Sequence, residues 1–248
     1  LQQMTLAEKV GQLLVPRVYG TDAVNPDSSS RWLNQSELGA PTAVDIVREF
    51  HVGGLLYFAP TTNDASRLAR FNNAVQAAAG SAPGILTMLD QEHGRVLRVI
   101  EATQFPTQMA VGAPHDPALA RLVGRVTGDE LRAVGIRANL APVADVNSDP
   151  RNPVIGDRSF GSYPGLVSRM VAAEIDGLHD AGLAATAKHF PGHGATSTDS
   201  HTSLPVVGHS RAELDRIDLP PFRAAIAAGV DMILTAHVLV PAIDDQPA

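Results

Sequence analysis

The sequence has 248 residues, 44% of them hydrophobic and 18% charged, with a formal net charge of −7 and no cysteine. That composition belongs to a globular chain with enough apolar material for a sizeable core, and it argues against disulfides, thiolate metal sites and a nucleic-acid partner. No apolar run approaches the roughly 20 residues of a membrane helix, and the opening Leu1-Gln2-Gln3-Met4-Thr5 does not read as an export signal, so the compartment, cytoplasm or cell envelope, stays open.

In chain order, Thr5 followed by Glu8 has the spacing of a helix capping box. Leu13-Leu14-Val15 reads as a first strand, and residues 20–40, rich in Ser, Asn, Asp and Gly, as a long surface loop carrying Trp32 as a surface aromatic. A helix is expected over Thr42 to Phe50, and a buried strand over Gly53 to Phe58. Asn63 to Ala79 shows helical spacing of its apolar residues, and Gly84 to Leu89 is a third strand that stops at Asp90. Pro117 to Val134 is a long helix ended by Gly135, and Ile136 to Val146 a fourth strand region that includes Asp145 near its end. Pro164 to Ala181 is helical with Gly182 behind it, and Leu183 to Ala187 forms a fifth strand. Ser210 to Ala228 holds one or two helices interrupted by Pro220-Pro221, and Asp231 to His237 a sixth strand.

The strands are continuous apolar runs that alternate with helices, the pattern of a parallel sheet covered on both faces. Ionisable residues end successive strands: Asp90, Asp145, Lys188-His189 and His237. That is the arrangement of a TIM (β/α)8 barrel, whose active site lies at the C-terminal ends of its strands. A doubly wound open sheet would place a Gly-rich phosphate loop after the first strand, where Pro16-Arg17-Val18-Tyr19 stands instead. The fold class expected is therefore α/β, a single (β/α) barrel domain over residues 1–248, C-terminally incomplete. About six β/α units are legible, against the eight of a closed barrel, and the remaining segment of the barrel is expected as a partner of this one.

Chemistry concentrates between Lys188 and His201. A metal site made of His189, His193, His201 and Asp199 matches no standard zinc spacing, and Lys188 would repel a cation, so no metal and no cofactor are expected. Asp199 and His201 are two apart, so in an extended segment they share a face and an imidazole could be oriented and made more basic by the carboxylate. Taken alone, the plainer reading is a turn-capping Asp beside a solvated His. Asp90, Arg95 or Arg98, Arg158 and Lys188 suit charge-assisted hydrogen bonds to sugar hydroxyls.

Lys188-His189-Phe190-Pro191-Gly192-His193-Gly194 followed by Asp199-Ser200-His201 resembles the signature of glycoside hydrolase family 3, in its bacterial β-N-acetylglucosaminidase branch. Asp90-Gln91-Glu92-His93-Gly94-Arg95-Val96 is similar to a second signature, in which the fourth residue is commonly Gly, so His93 is a departure. Gly156-Asp157-Arg158-Ser159-Phe160 matches a third. The resemblance covers essentially the whole chain. It implies a barrel enzyme that removes β-linked N-acetylglucosamine from non-reducing ends, chiefly in peptidoglycan fragments (muropeptides), with retention of configuration. By the resemblance Asp90, Arg98, Arg158, Lys188 and His189 hold the sugar, and His201 paired with Asp199 is the general acid/base, which reverses the plainer reading of that pair. The family's nucleophile is an Asp after a seventh strand. It is expected beyond residue 248, and the isolated 248-residue chain is expected to be inactive. The alternatives left open are a β-N-acetylglucosaminide phosphorylase and a carbohydrate-binding protein without catalysis.

Overall fold

The computed structural model describes residues 2, 4–80, 83–197, 204–244 and 246. The chain divides into two compact units: Leu1–Leu89 with Arg98–Ala102 and Glu130–Ala138, and Asp90–Leu97 with Thr103–Asp129 and Asn139–Ala248.

The first unit opens with α1 (Leu6–Gly11), where Thr5 and Glu8 form the expected reciprocal capping box. Leu13-Leu14-Val15 is not a strand. Gly53 donates its N–H to the carbonyls of Gly11 and Leu14, which holds the chain in a turn, and the sheet contact comes later, as a parallel bridge between Arg17 and Leu56. The expected loop over residues 20–40 contains a helix, α2 (Ser28–Leu38). Its N-cap is Asp27, whose carboxylate accepts the Ser30 N–H, and Gly39 closes it in the left-handed conformation. Three serines in its first turn masked a helix whose ends are conventionally capped. Trp32 lies on α2 and is exposed. The Thr42 hydroxyl caps α3 (Ala43–Phe50) by accepting the Asp45 N–H, and β1 (Gly54–Leu56) follows. After α4 (Ala65–Ala79), β2 (Leu86–Leu89) runs parallel to β1, with Gly54 opposite Leu86. Leu55, Leu68, Phe71, Val75 and Leu89 are buried here, and Tyr57 meets Phe71 edge-on at 5.4 Å. The chain returns at β3 (Ala138–Asn139), where Arg137 donates its N–H to the Thr87 carbonyl.

In the second unit α5 (Gln108–Gly112) is a short helix that periodicity did not reveal, and the expected long helix is α6 (Pro117–Ala133), whose residues up to Asp129 belong to this unit. It packs closely on α7 (Pro164–Asp180): a Cβ added to Gly177 would lie 2.1 Å from the Arg121 carbonyl oxygen, and one on Gly124 would lie 2.4 Å from that of Glu174. Only glycine lets the two backbones approach so far. The segment after β3 pairs with β4 (Ala184–Phe190) through a parallel bridge from Val143 to Lys188. Beyond α8 (Arg211–Glu213) the chain makes one π-helical turn, Leu214–Asp218, and then enters α9 (Leu219–Ala227). Pro220 and Pro221 do not interrupt α9. They occupy its first turn, where a missing N–H costs nothing. The strand β5 (Met232–Thr235) runs parallel to β4. Val143, Val167, Val171, Ile175, Leu178 and Ala187 are buried in this unit. Among the described residues no helix is long and apolar enough to cross a membrane.

Candidate active site

The polar ends of β4 and of the segments beside it form one buried cluster within the second unit. The register between β4 and β5 slips between Lys188 and Phe190, leaving His189 as the extra residue. Consecutive strand residues ordinarily face opposite sides of a sheet, and an extra residue re-aims a side chain. Lys188 and His189 consequently both reach the cluster.

Lys188 is buried, and its Nζ lies 2.6 Å from Asp90 Oδ1 and 2.6 Å from Glu92 Oε1. Arg158, at the end of a short 3-10 turn (Gly156–Arg158), grips the same Glu92 with two N–H donors, Nε to Oε2 at 2.7 Å and Nη2 to Oε1 at 2.8 Å. A planar guanidinium fits a carboxylate in this two-point manner and holds it in one orientation. Burial alone would raise the Glu92 pKa, but Lys188 and Arg158 outweigh it and bring the carboxyl down to about 2. Arg158 in turn stays charged despite burial because Glu92, Asp145 and Asp90 surround it.

His189 is set by Asp145, which is wholly buried. The Asp145 Oδ2 lies 2.7 Å from His189 Nδ1, and its Oδ1 accepts the His193 N–H at 2.7 Å. A carboxylate accepts, so Nδ1 carries the proton, and Nε2 is left as an acceptor for the Arg158 Nη2, 3.4 Å away. Burial works against the Asp145 charge, yet His189 and the His193 amide keep its pKa below the ordinary carboxylate value. His193 is itself buried, which lowers its pKa, and its Nδ1 lies 2.7 Å from the Thr196 hydroxyl. Asn152 closes this turn by donating to the His193 carbonyl at 2.7 Å.

The cluster is therefore graded. Asp90, Arg158 and His189 keep partial access to solvent, with side-chain exposures of 13%, 13% and 17%. Lys188, Glu92 and Asp145 lie beneath them at 2% or less. An accessible carboxylate acceptor beside an accessible guanidinium and an oriented imidazole can hold a ligand with several hydroxyls, while the buried layer fixes their geometry. Among the described residues no group of three or more His, Cys, Asp or Glu side chains is placed to hold a metal ion.

The family of the chain follows from a match of residues 5–248 to the glycosyl hydrolase family 3 N-terminal domain. The chain belongs to glycosyl hydrolase family 3. Its β/α succession is that of the family's barrel-type N-terminal domain. Among family 3 relatives, it is 36% identical over 254 residues to beta-hexosaminidase A of Pseudoalteromonas piscicida, an alignment that takes in 98% of this chain and 42% of that protein. A solved family 3 β-N-acetylglucosaminidase from Paenibacillus sp. FPU-7 superposes with a TM-score of 0.88 at 42% identity, over 98% of this chain and 44% of that one. NagZ from Neisseria gonorrhoeae, solved with N-trifluoroacetyl-D-glucosamine, gives 0.79 at 30% identity, over 94% and 66%. The chain thus spans roughly half the length of the relatives it resembles.

Of the sugar-holding residues expected from the family signatures, the structure brings Asp90, Arg158, Lys188 and His189 together. Arg98 belongs to the first unit, where its guanidinium lies 5.1 Å from the Phe58 ring centre, and Arg17 stacks on the same ring at 4.9 Å. Asp199 and His201 lie outside the described residues. Two further members of the cluster, Glu92 and Asp145, are not among the expected sugar-holding residues: Glu92 stands inside the second signature, and Asp145 is a strand-end carboxylate. The available signal was position, since both lie at the ends of strand segments where barrel chemistry collects.

Proposed function

We propose that the protein containing this family 3 domain is a retaining β-N-acetylglucosaminidase that releases β-linked N-acetylglucosamine from the non-reducing ends of peptidoglycan-derived fragments. One observation carries the reading: Asp90, Arg158 and His189 form a partly accessible polar rim, fixed from below by Lys188, Glu92 and Asp145, with donors and acceptors suited to hydroxyls. The names of the relatives, a β-hexosaminidase and a β-N-acetylglucosaminidase, support the choice of sugar. In this reading Asp90, Arg158, Lys188 and His189, with Arg98, hold the sugar. His201 delivers and recovers the proton, and Asp199 orients it. The cluster's carboxylates are each committed to a cation or an imidazole, so the nucleophile comes from elsewhere in the protein.

The experiment compares turnover of an aryl β-N-acetylglucosaminide with that of the matching β-glucoside by the full-length protein. Expected is a clear preference for the former. Equal rates, or no turnover of the acetamido sugar, would sink the reading. The proton role is tested by His201→Ala, which should slow substrates with poor leaving groups by about 10²–10⁴-fold and activated aryl glycosides far less. An equal loss on both would remove His201 from proton transfer.

A further inference from the structure

His93, the fourth residue of the second signature, sits in a tight reversal of the chain. Its backbone is left-handed, with φ of 70°, and Gly94 follows at 57°. Residues other than glycine adopt that conformation uncommonly, and histidine is among those enriched in it, as His51 and His115 are here. The two residues make a tight reversal in which Glu92 donates its N–H to the Val96 carbonyl at 3.0 Å and Val96 returns one to His93 at 3.2 Å. Gly94 cannot carry a side chain here, since a Cβ would lie 2.5 Å from Thr107 Cγ2. A glycine at 93 would adopt this conformation readily, so what the imidazole adds is its contacts.

Those contacts are specific. The ring is buried, its Nε2 lies 2.7 Å from the buried Thr127 hydroxyl on α6, and it meets Phe105 edge-on at 5.0 Å. On the other side of Glu92, Gln91 is held just as firmly. Its N–H donates to Asn139 Oδ1 at 2.9 Å, and its carbonyl accepts from Asn139 Nδ2 at 3.0 Å. Glu92 is thus flanked by two buried side-chain anchors, and Glu92 is the carboxylate that holds both Lys188 and Arg158. A carboxylate shared by two cations transmits its own displacement to both.

We propose that His93, through Thr127, is a positioning residue that fixes Glu92 and so sets Arg158 and Lys188 for the sugar. The role rests on the glycosidase reading for its consequence, though not for its geometry.

The test uses His93→Gly and Thr127→Val in the full-length protein. The second variant removes only the hydroxyl and leaves the backbone at 93 untouched. Two readouts are taken: KM against kcat on an aryl β-N-acetylglucosaminide, and amide hydrogen exchange at Glu92 and Val96. Both variants should raise KM by about three- to tenfold with a smaller change in kcat, and speed exchange at Glu92 by at least about tenfold. The double variant should be no worse than the poorer single one, because the two residues act as a unit. Unchanged exchange and unchanged KM, even with a lowered melting temperature, would reduce His93 to packing and overturn the proposal. A wild-type protein that turns over no acetamido sugar would instead overturn the glycosidase reading, and exchange at Glu92 would still decide the role of His93.

Discussion

Glu174 offers a sharp test of the second unit, because it is a buried carboxyl group with no counter-ion in hydrogen-bond contact among the described residues. It lies on α7, is 4% exposed, and accepts one hydrogen bond, from Gln108 Nε2 at 3.1 Å. The same Gln108 accepts the Val143 N–H, so it cannot be displaced easily. Burial is the main influence and the nearby Glu92 charge adds to it, so the Glu174 pKa rises from 4.5 to about 8. The folded protein then keeps Glu174 protonated at neutral pH, while the unfolded chain ionises it above pH 4.5. Stability from the neutral group is fully present below pH 4.5 and is lost progressively as the pH rises toward 8. At pH 7 the ionised unfolded state is favoured by about 3 kcal/mol on this account. Glu174→Gln has the same shape, can still accept from Gln108, and cannot ionise. Urea unfolding of both proteins at pH 5, 6, 7 and 8 reads the difference. The variant should match wild type near pH 5, gain about 3 kcal/mol by pH 7, and level off above pH 8. Glu92 does not confuse this window: its depressed pKa stabilises the fold above pH 4.5, and that contribution is lost only as the pH falls toward 2. A gain that stays flat with pH, or a loss at pH 7, would show that Glu174 is charged in the folded state and would refute the reasoning.

Three further outcomes follow from the same geometry. Glu92→Gln leaves Lys188 and Arg158 buried with one fewer carboxylate, and should cost about 3–5 kcal/mol in denaturant unfolding. A loss below about 1 kcal/mol would mean that water reaches the pair. Asp145→Asn removes the charged acceptor that orients His189. It should lower kcat/KM on an aryl β-N-acetylglucosaminide at least about tenfold with the fold retained by circular dichroism, and an unchanged value would exclude His189 from the sugar site. Gly177→Ala places a methyl 2.1 Å from the Arg121 carbonyl oxygen and should destabilise by about 1–3 kcal/mol, read as a lower urea midpoint; a neutral result would show that α6 and α7 separate freely.

Much of the fold was legible because its signals are local. Thr5, Thr42 and Gly135 mark helix ends, and Gly54 to Leu56 and Leu86 to Leu89 lie inside apolar runs with no other plausible partner than a sheet. The strand over Ile136 to Val146 shrank to Ala138–Asn139 plus the Val143 bridge, because pairing depends on a neighbour that the sequence does not show. The helix at Ser28–Leu38 was hidden by residues that favour turns and caps when considered singly. In the site, Lys188, His189, Asp90 and Arg158 stood out through their signatures. Glu92 and Asp145 did not, because a carboxylate's importance comes from the cation or imidazole it meets, 66 residues away for Arg158 and 44 for His189.

The sequence by itself therefore determined the family, the alternation of strands and helices, the helix caps, and the residue types available at strand ends. These rest on short-range chemistry: side-chain shape, hydrogen bonding to the nearest backbone, and spacing. Only the tertiary structure decided that Glu92 serves Lys188 and Arg158 together, that the slip at His189 brings two consecutive residues to one cluster, and that burial raises the Glu174 pKa. Each depends on how far a charge is from water and from its partner, and those distances exist only once remote segments have packed.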